Sequence, residues 1–376
     1  MSLHYTKLPW LIYALGGGLG HLNRVIALAN VACRSRHIII MSNSPFAETI
    51  QEQNTNENIS IHVIPHDISR EEGVEQVVSL LTITPCVLIV DALVRGIWGE
   101  LAPILPHLTN IPKVLILRDL PLKYIVEKNL ENFIDNNYDL VIVPGETEQP
   151  LFENLTNIEY TYPWLSFSSK QLPSRQEARD LLNFDETQAK QKTILILASG
   201  KGVEQEVYGF IAKDLSQKLP WVNIRCISLI YPPKCPFDLW VSHFPAFEYL
   251  PAADLVIGGC GYNLFYECMA LQIPLIAFPW ERVYDRQKVR AQKAESLGLG
   301  TVKIVASVED VYYQVSEILG QQLIENGLNY THNFKRPKFK NGVKKAVRLI
   351  EEFLPKKWNE AAYNAMEKNI EMIDLT

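Results

Sequence analysis

The sequence predicts an α/β protein of two doubly wound domains, and three observations predict it. Its 376 residues exceed what one hydrophobic core usually serves, 47% hydrophobic residues suffice for a core in each half, and short apolar runs alternate with amphipathic stretches throughout. Strands buried on both faces read as near-continuous apolar runs, whereas surface helices repeat their apolar positions every three to four residues. Charged residues at 21% and a net charge of -6 place the chain among ordinary globular proteins. They supply no general field for nucleic acid, which is excluded as a partner. No run approaches the roughly 18 apolar residues of a membrane span.

The elements follow in order. Residues 7–15 have too short an apolar part for a signal peptide, contain Pro9 and run into glycines without a cleavage pattern. They are read as the first buried strand of a cytoplasmic protein. Apolar runs at 10–15, 37–41, 59–64, 86–90, 113–117 and 140–143 read as parallel strands, with Leu22, Val25, Ile26, Ala29 and Cys33 on one face of the first helix. Ser69-x-x-Glu72 and Ser174-x-x-Glu177 are capping boxes that open two further helices. Strands are predicted again at 193–197, 224–229, 255–257 and 275–278. Prolines, serines and aromatics from Tyr160 to Pro173 follow neither period. The predicted organisation is an N-terminal Rossmann-like domain at 1–160, a linker at 161–173, a C-terminal Rossmann-like domain at 174–335 and a helical segment at 336–376 packing back on the N-terminal domain. In that last segment basic residues from Lys335 to Lys357 interleave with apolar ones from Phe334 to Leu354. Packing on a domain with a solvated charged face is preferred over a helix lying on an anionic membrane, although periodicity alone does not separate them.

Cys33, Cys86, Cys226, Cys235, Cys260 and Cys268 form no C-x-x-C pair or zinc spacing and are read as reduced and mostly buried. Chemistry is expected at two glycine turns. The first strand ends in Gly16-Gly17-Gly18-Leu19-Gly20-His21, where glycines admit a ligand to the backbone and the free N–H groups of a helix start favour anions or polar oxygens. A dinucleotide fingerprint fails here, because His21 stands at the third glycine and Ser42-Asn43-Ser44 after the second strand holds no ribose-binding acid. Ser199-Gly200-Lys201-Gly202 lacks the nucleotide-triphosphate frame. At a helix start His21 is placed to act as a neutral general base, or merely to close the turn. In the second half, Leu255-Val256-Ile257-Gly258-Gly259-Cys260-Gly261 leads into a helix on which Asn263 and Glu267 share a face. Phosphate at the helix start, Asn263 beside it and Glu267 on ribose hydroxyls would suit a nucleoside diphosphate. A capped core helix with a surface carboxylate is the plainer alternative.

Gly261-Tyr262-Asn263-x-x-x-Glu267, Pro274 to Pro279 and Asp285-Arg286-Gln287 resemble the donor site of nucleotide-sugar glycosyltransferases of the GT-B fold. The likeness is greatest to the lipid-linked N-acetylglucosaminyl transferases of cell-wall synthesis and their predicted relatives. Gly16 to His21 resembles that family's opening glycine turn, and Arg118-Asp119-Leu120 the predicted relatives. The resemblance runs from the first strand to about Ala294. It implies that Gly261 and Asn263 contact the diphosphate, Glu267 the ribose, Asp285 and Gln287 the donor sugar, and that Phe244 to Leu250 border the base. Ser199, Gly200 and Lys201 are expected to face the phosphates, and Gly17, Gly18, Gly20 and Arg118 to lie on the acceptor side. The chain departs from the pattern in having Gly259 where some relatives have a phosphate-contacting histidine, and Leu264 and Phe265 in place of small hydroxyl residues.

The expectation is therefore two Rossmann-like domains facing across a cleft and a metal-independent, inverting transfer from a UDP-sugar to a hydroxyl acceptor. No D-x-D occurs to clamp a metal on the diphosphate, and no cofactor is expected. His21, Asp91 and Asp119 compete as catalytic base, with Asp91 able instead to orient His21. The expected partners are a nucleotide sugar and a lipid or glycan acceptor, with peripheral contact to the inner face of a membrane. An epimerase or hydrolase on the same fold, or a non-catalytic nucleotide-sugar-binding subunit, are the alternative readings.

Overall fold

The computed structural model describes residues 9–82, 87–118, 120–145, 152, 154–168, 170–185, 188, 191–200, 202–282, 285–296, 298, 302–326, 339–355 and 357. They divide into two units, one running to Trp164 and resuming at Asn341, the other spanning Leu165–Lys340.

The first unit holds strands β1 (Trp10–Tyr13), β2 (Ile38–Ser42), β3 (Ile59–Val63), β4 (Val87–Asp91), β5 (Lys113–Ile116), β6 (Leu140–Pro144) and β7 (Ile158–Thr161). All are parallel, in the order β3-β2-β1-β4-β5-β6-β7. Trp10 lies between Ile38 and Val87, and every residue of β1, β4, β5 and β6 is buried. That burial is why those strands are uninterrupted apolar runs. Helices α1 (Leu19–Ala32), α2 (Ala47–Gln53), α3 (Arg70–Leu81), α4 (Leu101–Ile104), α5 (Leu122–Glu127) and α6 (Leu130–Asn137) connect them. The order reverses between β1 and β4, and the carboxyl ends of strands at such a switch point are where open α/β sheets bind ligands.

A helix at residues 343–355 completes this unit, burying Val343, Ala346, Ile350 and Leu354 on one face. It is tied down by Arg36, whose guanidinium forks onto Glu351 at 2.9 and 2.6 Å, and by Lys345, which donates to the Tyr160 carbonyl at 2.8 Å. Its apolar stripe is spent on packing; Lys344, Lys345 and Arg348 face solvent.

The second unit holds β8 (Thr193–Leu197), β9 (Asn223–Ile227), β10 (Trp240–Val241), β11 (Leu255–Gly259), β12 (Leu275–Phe278) and β13 (Val302–Ile304), parallel in the order β10-β9-β8-β11-β12-β13. Its helices are α7 (Arg175–Leu181), α8 (Gly202–Lys218), α9 (Tyr262–Leu271), α10 (Gln287–Ser296) and α11 (Val308–Asn326). The switch point lies between β8 and β11, so the turns after Leu197 and Gly259 are adjacent.

Both capping boxes form, with the Ser69 and Ser174 hydroxyls accepting from the backbone of Glu72 and Glu177 while those carboxylates reach back. Strands β7, β10 and β13 escape the sequence reading. Each is an edge strand of four residues or fewer with at most one buried residue, so none carries an apolar run. The segment after Tyr160 is packed: Trp164 donates to Thr161 Oγ1 at 3.0 Å, and buried Phe167 packs against Phe247 and Phe339.

Candidate active site

At the first switch point, β1 ends in the glycine turn and α1 starts at Leu19, with His21 in its first turn. Gly16 has to be glycine, since a Cβ there would lie 2.4 Å from His21 Cδ2 and 2.6 Å from Nε2. The turn is held from β2, whose following residue Asn43 accepts through Oδ1 from the Gly16 and Gly17 amides at 2.8 and 3.0 Å. Around Gly17, Gly18 and Gly20 nothing lies within 4 Å of where a side chain would begin.

His21 Nδ1 lies 2.7 Å from Oδ2 of Asp91, the last residue of β4. Arg24, one turn after His21, forks onto the same carboxylate, Nε to Oδ1 at 2.7 Å and Nη2 to Oδ2 at 2.6 Å. Asp91 and Arg24 are both buried, at 0 and 4% exposure. Burial opposes the charge on Asp91, but the Arg24 guanidinium and the His21 hydrogen bond hold its carboxyl well below the usual carboxylate range. An ionised Asp91 accepts only, so neutral His21 carries its proton on Nδ1 and presents the Nε2 lone pair. Arg118 is buried after β5, whereas Asp119 lies outside the described residues.

At the second switch point, β11 runs through Gly259 and Cys260 to Gly261, the N-cap of α9. Gly261 offers no capping side chain to the first turn of α9. Gly258 accommodates Leu264, whose Cδ2 would lie 2.6 Å from an added Cβ. The space beside Gly259 is bordered by Gln287 Oε1 at 3.5 Å and by Trp280 Cδ1 and the Tyr208 hydroxyl at 3.7 Å. Gln287 is buried, and its Oε1 has no hydrogen-bond partner among the described residues.

Glu267 is buried one turn beyond Asn263, and its Oε1 accepts from Ser166 at 3.1 Å. Burial pushes the Glu267 carboxyl up to about 7 against the lowering effect of Ser166. Asp285 accepts from Arg290 at 2.7 Å, and Arg290 also bonds the Cys260 carbonyl at 2.7 Å, tying α10 to the glycine turn. After β8, Gly200 has φ +103°, a conformation that favours glycine, with Glu204 of α8 directly beneath it. Lys201 lies outside the described residues. In the stretch from Phe244 to Leu250, Glu248 pairs with His243 at 2.9 Å.

The structure thus joins His21 with Asp91, and Gln287 with Gly259 and Gly261. Sequence reasoning missed Arg24, Asn43, Glu204 and Ser166. The available signal for Arg24 was an arginine beside the apolar face of a buried helix. Cys33, Cys226, Cys235, Cys260 and Cys268 are free and buried; Cys86 lies outside the described residues. Among the described residues no helix is long and apolar enough to cross a membrane.

Residues 242–350 match the glycosyltransferase family 28 C-terminal domain. Two UDP-N-acetylglucosamine--N-acetylmuramyl-(pentapeptide) pyrophosphoryl-undecaprenol N-acetylglucosamine transferases of Clostridium botulinum are similar to the chain. The one from strain 657 / Type Ba4 is 28% identical and the one from strain Hall 31% identical, each over 175 residues, 43% of this chain and 48% of the relative. The chain spans about half the length of the curated relatives it matches. Among solved structures, the spinosyn rhamnosyltransferase complexed with thymidine diphosphate superposes with a TM-score of 0.57 at 13% identity, covering 92% of this chain and 100% of that one. A UDP-glucosyltransferase from Polygonum tinctorium superposes at 0.58 with 13% identity over 93 and 99%. Two parallel sheets with these neighbours make this a GT-B fold, and residues 242–350, which contain the second glycine turn, match the glycosyltransferase family 28 C-terminal domain.

Proposed function

We propose that the chain is a glycosyltransferase that moves a sugar from a nucleoside-diphosphate sugar to a hydroxyl acceptor by a single, metal-independent, inverting displacement. The observation that carries this reading is the His21–Asp91 pair at 2.7 Å, which engages Nδ1 with the buried carboxylate and leaves Nε2, beside Gly16, as the basic nitrogen.

In the proposed step the acceptor hydroxyl gives its proton to His21 Nε2 as its oxygen attacks the anomeric carbon. The bond from that carbon to the diphosphate breaks, and nucleoside diphosphate leaves with the electron pair. N–H groups at the start of α9, around Gly261 and Asn263, hold the growing phosphate charge in place of a metal. Asp91 is buried, forked by Arg24 and a weak base, so of the candidate bases it orients His21 and stabilises the imidazolium. Glu267 accepts from ribose hydroxyls, Gln287 Oε1 takes the donor-sugar hydroxyl that its lack of a partner calls for, and Asp285 stands beside it. Ser199, Gly200, Lys201 and Gly259 line the phosphates; Gly17, Gly18, Gly20 and Arg118 the acceptor.

The names of the curated relatives make UDP-N-acetylglucosamine the first donor to test and a lipid-linked sugar the first acceptor. Work on such an acceptor would bring the chain to the inner face of a membrane from the cytoplasm. The test is turnover of UDP-sugars with and without lipid-linked and glycan acceptors, in EDTA. Acceptor-dependent release of UDP that survives the chelator supports the proposal. Loss restored by magnesium or manganese would overturn the metal-free part. Free sugar or its epimer without acceptor would make the chain a hydrolase or epimerase, and binding without turnover a binding subunit.

A further inference from the structure

Resting on that donor-site reading, we propose that Arg282 binds the donor diphosphate and that Glu204 is the positioning residue that aims it. Glu204 is the third residue of α8, where the helix dipole favours a carboxylate, and it is buried. An added Cβ at Gly200 would lie 1.8 Å from its Oε2 and 3.2 Å from Arg282 Nη2, so both charged groups sit against the glycine turn. Arg282 follows β12 and meets Glu204 end-on, Nη1 to Oε1 at 2.8 Å and Nη2 to Oε2 at 2.5 Å, while Nη1 also reaches the Glu281 carbonyl at 3.0 Å. A guanidinium has a second, lateral fork made of Nε–H and the other Nη2 hydrogen. Among the described residues that fork has no acceptor, and its Nη2 corner is the one beside Gly200.

The segment bearing Arg282 is fastened to α8 a second time, because Trp280 Nε1 donates to the Tyr208 hydroxyl at 2.7 Å, one turn beyond Glu204. An arginine held by two anchors and keeping one planar fork open is pre-organised for two phosphate oxygens. A separate observation places a ligand here. The Gly259 turn is next to the Gly200 turn, since Leu197 lies opposite Gly258, and over Gly259 the buried Gln287 Oε1 awaits a donor. A sugar hydroxyl beside Gln287 and a diphosphate beside Arg282 are the neighbouring parts of one nucleotide sugar. Arg282 also removes an obstacle, because an unpaired Glu204 carboxylate at this turn would repel the diphosphate.

The test is calorimetric titration of the full chain with UDP and with uridine, in wild type, Arg282→Ala, Arg282→Lys and the double variant Glu204→Gln/Arg282→Gln. The double variant removes both charges, so the fold is not burdened by a lone buried carboxylate. Arg282→Ala and the double variant are expected to weaken UDP by about 30-fold, and uridine by less than about twofold. Arg282→Lys is not expected to restore UDP, since an ammonium has no second fork. UDP affinity within about twofold of wild type in both neutral variants overturns the assignment, as does an equal loss for uridine and UDP, which would mark a merely structural role. If wild-type protein binds neither UDP nor TDP, the donor-site reading itself fails and this inference with it.

Discussion

His21 owes its orientation to Asp91 on β4, and the glycine turn before it is held by Asn43 after β2, two partners that sequence proximity does not reveal. Asp91→Asn removes the charge that fixes the imidazole tautomer and leaves Arg24 buried without its counter-ion. We predict a fall in kcat of about 10²–10⁴-fold and a loss of about 3 kcal/mol of stability, read by steady-state kinetics and urea unfolding. Because the Asp91 pKa is depressed by folding, its stabilisation is present above the unfolded carboxylate range and lost as pH falls toward the folded value. The variant should lose that acid-side dependence. Glu267 runs the other way. Its pKa rises from an ordinary 4.5 to about 7, so its contribution to stability is full below 4.5 and lost as pH rises through 7. Glu267→Gln should abolish that dependence and be on the order of 2 kcal/mol more stable than wild type at pH 8, while donor binding weakens by about 1.5–3 kcal/mol. A variant that is no more stable at pH 8, or that binds donor as well as wild type, would show that Glu267 is not a carboxylate kept buried for ribose.

At the scale of elements, what could be read from the sequence was what a local rule dictates. The two capping boxes are local chemistry, and both form at Ser69 and Ser174. The central strands are legible because burial on both faces forces an apolar run, whereas β7 and β13 are edge strands whose half-buried residues answer to no such rule. The helix at 343–355 shows how closely an element is fitted: a Cβ on Gly342 would lie 1.9 Å from the Tyr162 carbonyl oxygen. Backbone cannot step aside as a side chain can. Gly342→Ala is therefore predicted to cost about 2 kcal/mol in urea unfolding while donor affinity stays unchanged; a neutral effect on stability would mean that the helix docks loosely.

For the whole molecule, the sheets explain where the chemistry sits. Each has one reversal of strand order, β1/β4 and β8/β11; His21, Asp91, Gly200, Gly261, Asn263 and Glu267 lie at the carboxyl ends of those strands or on the helices that follow, and Arg282, Asp285 and Gln287 follow the neighbouring β12. The glycine turns at Gly16 and Gly261 were legible because close backbone approach needs residues without side chains. The ion pairs were not, because Arg24 with Asp91 and Glu204 with Arg282 are 67 and 78 residues apart. Only the fold brings such charges together. In the proposed transfer His21 is the base and the residues around Gly261 hold the donor. The most direct test is kcat and donor affinity of His21→Ala measured on the same preparation. We predict a fall in kcat of about 10²–10⁴-fold, with donor affinity unchanged. Equal kcat in variant and wild type would contradict it.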